Sequence, residues 1–134
     1  MAKIGDLINQ TFSRVYREYD DIIFERIKNN GKRAGFKLTH FQVCCEHVYI
    51  ESIVGDLSDL ENTPIRIANE SSKNNPNASE SGTWTFYKFA TIKGYVDIRW
   101  FGTSNGYYSE GVSFEKYEIP LDELRDFKID KTLN

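Results

Sequence analysis

The amino-acid sequence predicts an α+β domain: a single, mainly antiparallel sheet of about six strands with a short helix at each end. Two observations carry that prediction. The stretch from Thr83 to Phe114, TWTFYKFATIKGYVDIRWFGTSNGYYSEGVSF, alternates apolar and polar residues across two turn signals, Lys93-Gly94 and Ser104-Asn105-Gly106, which is the pattern of a central three-stranded meander. Towards the termini, Ile4, Leu7 and Ile8, and again Leu121, Leu124 and Phe127, recur at the spacing of an apolar helix stripe.

At 134 residues the chain suits a single domain, residues 1–134, with one core. Apolar residues make up 40% and aromatic residues 14%, enough for a packed interior, and no run approaches the ~20 apolar residues of a membrane span. No membrane partner is expected. A formal charge of -3 leaves no surplus of Lys and Arg for broad nucleic-acid binding. The amino terminus, MAKIGDLINQ, lacks the apolar core of a signal peptide and points to the cytosol.

Residues 3–10 form the first expected helix. From Thr11 to Tyr19 the placing of Phe12, Val15, Tyr16 and Tyr19 fits helix and strand alike. Ile22, Phe24 and Ile27 read as a strand, Asn29-Asn30-Gly31 as a turn, and Phe36, Leu38 and His40 as the returning strand of a hairpin over roughly 21–41. Val48–Val54 is a further strand. Asp56–Asn62 holds a short helix with Leu57 and Leu60 at i, i+3, closed by Pro64, and Ile65–Asn69 alternates again. SSKNNPNASESG, residues 71–82, is rich in Ser and Asn and has no apolar anchor, so it is expected to be a flexible polar loop. Pro120 takes the first position of the closing helix, and 128–134 is a polar tail.

Within the meander, a two-residue Lys93-Gly94 turn pairs Phe89 with Ile98, Tyr87 with Trp100 and Lys88 with Arg99. One face is then Phe89, Ile98, Tyr87, Trp100, Thr91 and Val96, which is a core. The other is Lys88, Arg99, Asp97, Tyr95, Phe86 and Phe101. A three-residue loop at Ser104-Asn105-Gly106 sets Ile98 opposite Val112, Val96 opposite Phe114 and Arg99 opposite Gly111, leaving an open slot beside the guanidinium.

Facing like charges at Lys88 and Arg99 need an anion between them. Asp97 supplies one internally. A bound phosphate or carboxylate supplies one otherwise, with Tyr95, Phe86 or Phe101 stacking on a planar ring and Asn105, Tyr107 and Tyr108 adding hydrogen bonds. The same patch also has the aromatic and arginine content of a protein interface.

His40, Cys44, Cys45 and His47 are all the histidines and cysteines of the chain, and they fall within eight positions. These are zinc-ligand types, but adjacent strand side chains point to opposite faces, and the spacing usual between paired ligands is missing. No metal site is expected. Two buried thiols and two ordinary histidines are, because a bond between neighbouring cysteines is disfavoured in a reducing cytosol. A Cys–His nucleophile pair is the enzymatic alternative, without a third group or an oxyanion loop to complete it. HExxH, GxSxG and Gly-rich phosphate loops are all missing, so neither catalysis nor a cofactor is expected.

Two blocks, CCEHVYIESIVGDLSDL at Cys44 to Leu60 and TWTFYKFATIKGYVDIRWFGTSNGYYSE at Thr83 to Glu110, resemble a family of small, uncharacterised proteins encoded by tailed phages and prophages. That resemblance implies expression in a host bacterial cytoplasm and carries no catalytic residue. Tyr95 in the hairpin and Asn105 after it are also similar to phage anti-defence proteins that sequester nucleotide-derived immune signals of the cyclic ADP-ribose type. This implies stoichiometric capture of a small anionic ligand, at a subunit interface if the chain is a homo-oligomer, by Lys88, Tyr95, Arg99, Phe101, Asn105 and Tyr107. The alternatives are a phage inhibitor that docks directly onto a host defence protein, as anti-CRISPR proteins do, and an accessory phage protein with no ligand.

Overall fold

Period-two alternation governs most of the chain, and each apolar face so created needs another to cover it. In the computed structural model, which describes residues 2–75 and 81–119, two four-stranded antiparallel sheets meet that need, in place of the expected single sheet with helices. The strands are β1 (Arg14–Glu18), β2 (Asp21–Ile27), β3 (Arg33–Thr39), β4 (His47–Val54), β5 (Ile67–Asn74), β6 (Ser81–Thr91), β7 (Gly94–Ser104) and β8 (Ser113–Ile119). The first sheet has the order β1-β2-β3-β8 and the second β4-β7-β6-β5.

Their inner faces share one core. Val15, Ile22, Phe24, Phe36 and Leu38 of the first sheet pack against Val48, Ile50, Tyr87, Phe89, Val96, Ile98 and Trp100 of the second. Phe24 and Phe89 meet across the layer, ring centroids 5.2 Å apart and inclined at 70°.

The α+β assignment is therefore corrected to an almost wholly β architecture. Among the described residues the helical segments are two 3-10 turns, Ile4–Leu7 and Leu57–Leu60. Each buries one leucine, Leu7 or Leu60. An i, i+3 apolar pair serves a single three-residue turn as well as an α-helix, and here it does no more than plug the sandwich. The expected closing helix over 121–127 and the tail 128–134 lie outside the described residues.

The central meander is corrected as well. β6 and β7 form a hairpin, but its turn is Ile92-Lys93, since Thr91 pairs with Gly94. The register is displaced by two residues: Lys88 lies opposite Asp97 and Arg99 opposite Phe86. β8 leaves β7 altogether and pairs with β3, Phe114 opposite Leu38, while β4 takes the place beside β7. The polar stretch 71–82 is in part structured, with β5 running on to Asn74 and β6 starting at Ser81.

Two acids cover sheet edges. Asp20 Oδ1 accepts the Ile50 amide of edge strand β4 at 3.0 Å, and Glu61 Oε2 accepts the Val15 amide of edge strand β1 at 2.9 Å. By the strand registers, the β1–β2 turn, the β3–β4 loop and the β7–β8 loop gather at one end of the sandwich. The β2–β3 and β6–β7 turns lie at the other.

Candidate functional site

The outer face of the second sheet is built from the residues that alternate with its core. β6 contributes Trp84, Phe86 and Lys88; β7 contributes Tyr95, Asp97, Arg99 and Phe101; β4 contributes Tyr49, Ser52 and Val54. Arg99 is exposed, whereas its neighbours Ile98 and Trp100 are each 1% exposed. Strand pairing sets these side chains in rows. Tyr49, Phe101, Trp84 and Lys73 form one, Ser52, Arg99, Phe86 and Ser71 the next, and Val54, Asp97, Lys88 and Asn69 a third.

The first row is aromatic and continuous. Trp84 and Phe101 rings stand 4.4 Å apart, Phe101 and Tyr49 6.2 Å, and Tyr49 and His47 4.8 Å. In the next two rows the outer strands β4 and β5 carry short side chains, Ser52, Val54, Asn69 and Ser71, and a groove of about 390 Å³ opens there. Phe86 is its floor, Lys88, Asp97 and Arg99 line it, and Ser52, Val54, Asn69 and Ser71 border it. Its electrostatics are mixed. Arg99 Nε donates to Glu51 Oε2, and the guanidinium lies 5.3 Å from the Trp84 ring. Its two Nη groups make no hydrogen bond among the described residues. Lys88 Nζ is 5.3 Å from the Tyr95 ring and forms no ion pair among them. As diagonal neighbours, Lys88 and Arg99 are about 7–8 Å apart at the backbone.

Of the residues expected to bind a ligand, Lys88 and Arg99 come together around Phe86 and Asp97, and Phe101 stands one row away. Tyr95 lies near the start of β7 and reaches the site only through Lys88. Asn105 and Tyr107 do not join it: they lie beyond the far end of β7, Asn105 about 20 Å from Arg99 at ~3.3 Å per residue. Asn105 Oδ1 is occupied with the Tyr107 amide at 3.0 Å, and Tyr107 projects into solvent. The slot beside Gly111 is absent, because Arg99 faces Ser52 and Phe86 instead. Trp84, Tyr49, Ser52 and Glu51 were not expected here. Trp84 has the parity of Phe86 and was readable as such. Glu51 is the extra residue where the β4 register shifts between Ile50 and Ser52, and no alternation reveals a bulge.

The cysteine–histidine segment is a loop held by its own hydrogen bonds. Glu46, buried, accepts the Cys44 amide at 2.8 Å and the Val43 amide at 3.2 Å, and His40 bridges Glu46 Oε2 at 3.3 Å and the Gly111 carbonyl at 2.9 Å. The Cys44 amide foremost, against the opposing effect of burial, holds the Glu46 carboxyl below its usual range. Cys44 and Cys45 are bonded through sulfur and exposed, which corrects the expectation of two buried thiols; they lie on a bend rather than in a strand, so neighbouring side chains need not diverge. Among the described residues no group of three or more His, Cys, Asp or Glu is placed to hold a metal ion, and no helix is long and apolar enough to cross a membrane.

Neither a curated protein nor a solved structure matches the chain. A family model does, over residues 5–114, which takes in the whole second sheet and the loops at its end. The chain thus belongs to the family described as a domain of unknown function, DUF7448.

Proposed function

We propose that this domain captures a nucleotide-derived signal on the outer face of its second sheet and acts, without turnover, as a phage anti-defence protein in the cytoplasm of a host bacterium. The observation that carries the reading is the groove. Phe86 offers a planar ring an apolar floor, and the unengaged ends of Arg99 and Lys88 stand beside it to receive a phosphate. A volume of about 390 Å³ falls at the lower end of small-molecule sites.

Thermal denaturation with a panel of cyclic mononucleotides, cyclic dinucleotides and cyclic ADP-ribose isomers tests it. A ligand that binds the folded state raises Tm, and Arg99→Ala or Lys88→Ala removes the rise. No rise with any member of the panel would refute the reading. Direct docking onto a host defence protein is the second reading, favoured by the row of Tyr49, Phe101 and Trp84 beside Arg99, since such residues dominate interface energetics. In that case Trp84→Ala abolishes a binary complex and no nucleotide competes.

A further inference from the structure

Along the inner face of β5 and β6 the side chains change character partway. Phe89 and Tyr87 belong to the core, but Thr85 and Thr83, which follow them with the same parity, carry hydroxyls. Strand pairing sets Glu70 opposite Tyr87 and Ser72 opposite Thr85. A cavity of about 280 Å³ opens there, with Glu70, Ser72, Thr83 and Thr85 along the strands and Gly111 and Val112 of the β7–β8 loop as a further wall. Thr85 is the informative member. It is only 5% exposed, yet its hydroxyl lines the cavity and makes no hydrogen bond among the described residues. A buried hydroxyl left without a partner is destabilising, and a ligand that supplies the partner removes that cost.

We propose that this cavity binds a primary alkylammonium group. The donors around it are already engaged. The Tyr87 hydroxyl donates to Glu70 Oε2, the Thr83 hydroxyl to Glu110 Oε1 at 2.7 Å and the Gly111 amide to Ser109 Oγ at 3.3 Å. Acceptors remain. Glu70 Oε1 has no hydrogen bond or ion pair among the described residues, and the Ser72 and Thr85 hydroxyls keep their lone pairs. Neither Lys, Arg nor His lines the cavity, so no cation of the chain answers the carboxylate. An ammonium brings a compact positive charge and three N–H donors, which match one carboxylate oxygen and two hydroxyls. A guanidinium engages both oxygens of a carboxylate, and Tyr87 already holds one of them. Val112 gives the first carbons of the alkyl chain an apolar wall. The volume lies just below the roughly 300 Å³ at which drug-sized sites begin, and so suits the end of an amine. A free diamine and the side chain of a peptide lysine share this chemistry. Thr85 has no part in the nucleotide groove, although Glu70 borders both cavities.

Titration of the full chain without nucleotide, followed by two-dimensional amide NMR spectra, tests it. The probes are n-butylamine, putrescine and Nα-acetyl-lysine methylamide. The controls are n-butanol, which lacks the charge, and tetramethylammonium, which has the charge but no N–H donor. The expected result is saturable shifts of the Ser72, Thr85 and Val112 amides with the amines, at a dissociation constant on the order of 1–10 mM, and none with either control. Tighter binding of putrescine than of the lysine derivative identifies a free diamine as the source, and the reverse order identifies a peptide. Thr85→Val keeps the shape of the side chain and weakens binding by at least about threefold, Thr85→Ser retains it, and Glu70→Gln weakens it by about tenfold. Circular dichroism checks that each variant is folded. The proposal is overturned if no amine moves these amides at about 50 mM, if tetramethylammonium moves them equally, or if Thr85→Val binds as the natural chain does.

Discussion

Glu25 projects from the outer face of the first sheet, yet it is only 3% exposed. Tyr16 and Tyr117 donate their hydroxyls to its Oε2 at 3.1 and 3.2 Å, and Arg33 Nη1 lies 3.6 Å from Oε1. Burial first, and then the Glu25 charge, raises the pKa of both phenols, so they remain donors across the working range. Glu25→Ala strands three polar groups and is expected to lower stability by about 3 kcal/mol in urea unfolding, with Tyr16→Phe or Tyr117→Phe costing about 1 kcal/mol each. Glu110 makes a pH prediction. Burial pushes its carboxyl up, but the hydroxyls of Ser104, Ser81 and Thr83 more than offset that and hold it below its usual range. A folded-state pKa below the unfolded one means stability that is present at neutral pH and lost as pH falls through the depressed value. The Tm deficit of Glu110→Gln relative to the natural chain is therefore largest near pH 7 and shrinks below about pH 4.

Elements show what alternation encodes and what it does not. The faces of β6 and β7 were legible, with Arg99 outward and Ile98 and Trp100 inward, because side-chain parity survives any even displacement of register. The partners were not. Moving the turn from Lys93-Gly94 to Ile92-Lys93 keeps every residue on its face but replaces the Lys88–Arg99 opposition with Lys88–Asp97. β8, SFEKYEI, alternates well enough to suit either sheet, and nothing local says that it crosses to β3. β5 was cut short at Asn69 because an edge strand reading ESSKN has no apolar face to announce it. Close packing between elements is equally silent in the sequence. A Cβ on Gly102 of β7 would stand 2.3 Å from the Glu110 carbonyl oxygen of the β7–β8 loop, so that loop lies flat on the strand only because residue 102 has no side chain. Gly102→Ala is expected to cost about 1–3 kcal/mol, read as a lower Tm.

At the scale of the whole molecule, two sheets bury their apolar faces on each other and leave two outer faces and two ends to interact. The outer face of the first sheet is organised around the buried Glu25, and the groove of about 400 Å³ over β2, β3 and β8 has its Lys28 paired with Glu118 and its Arg26 donating to Gln10. The groove of the second sheet instead sets Lys88, without an ion pair among the described residues, beside the Phe86 ring. This contrast directs the functional reading to the second sheet, and the sequence announced it only through the face shared by Lys88, Arg99 and Phe86. Isothermal titration of the natural chain and of Arg99→Ala, with whichever cyclic nucleotide most raises Tm, is the most direct measurement. The account predicts one saturable site per chain, weakened by added salt and at least about tenfold weaker in the variant. Binding of equal strength in the two proteins would contradict it.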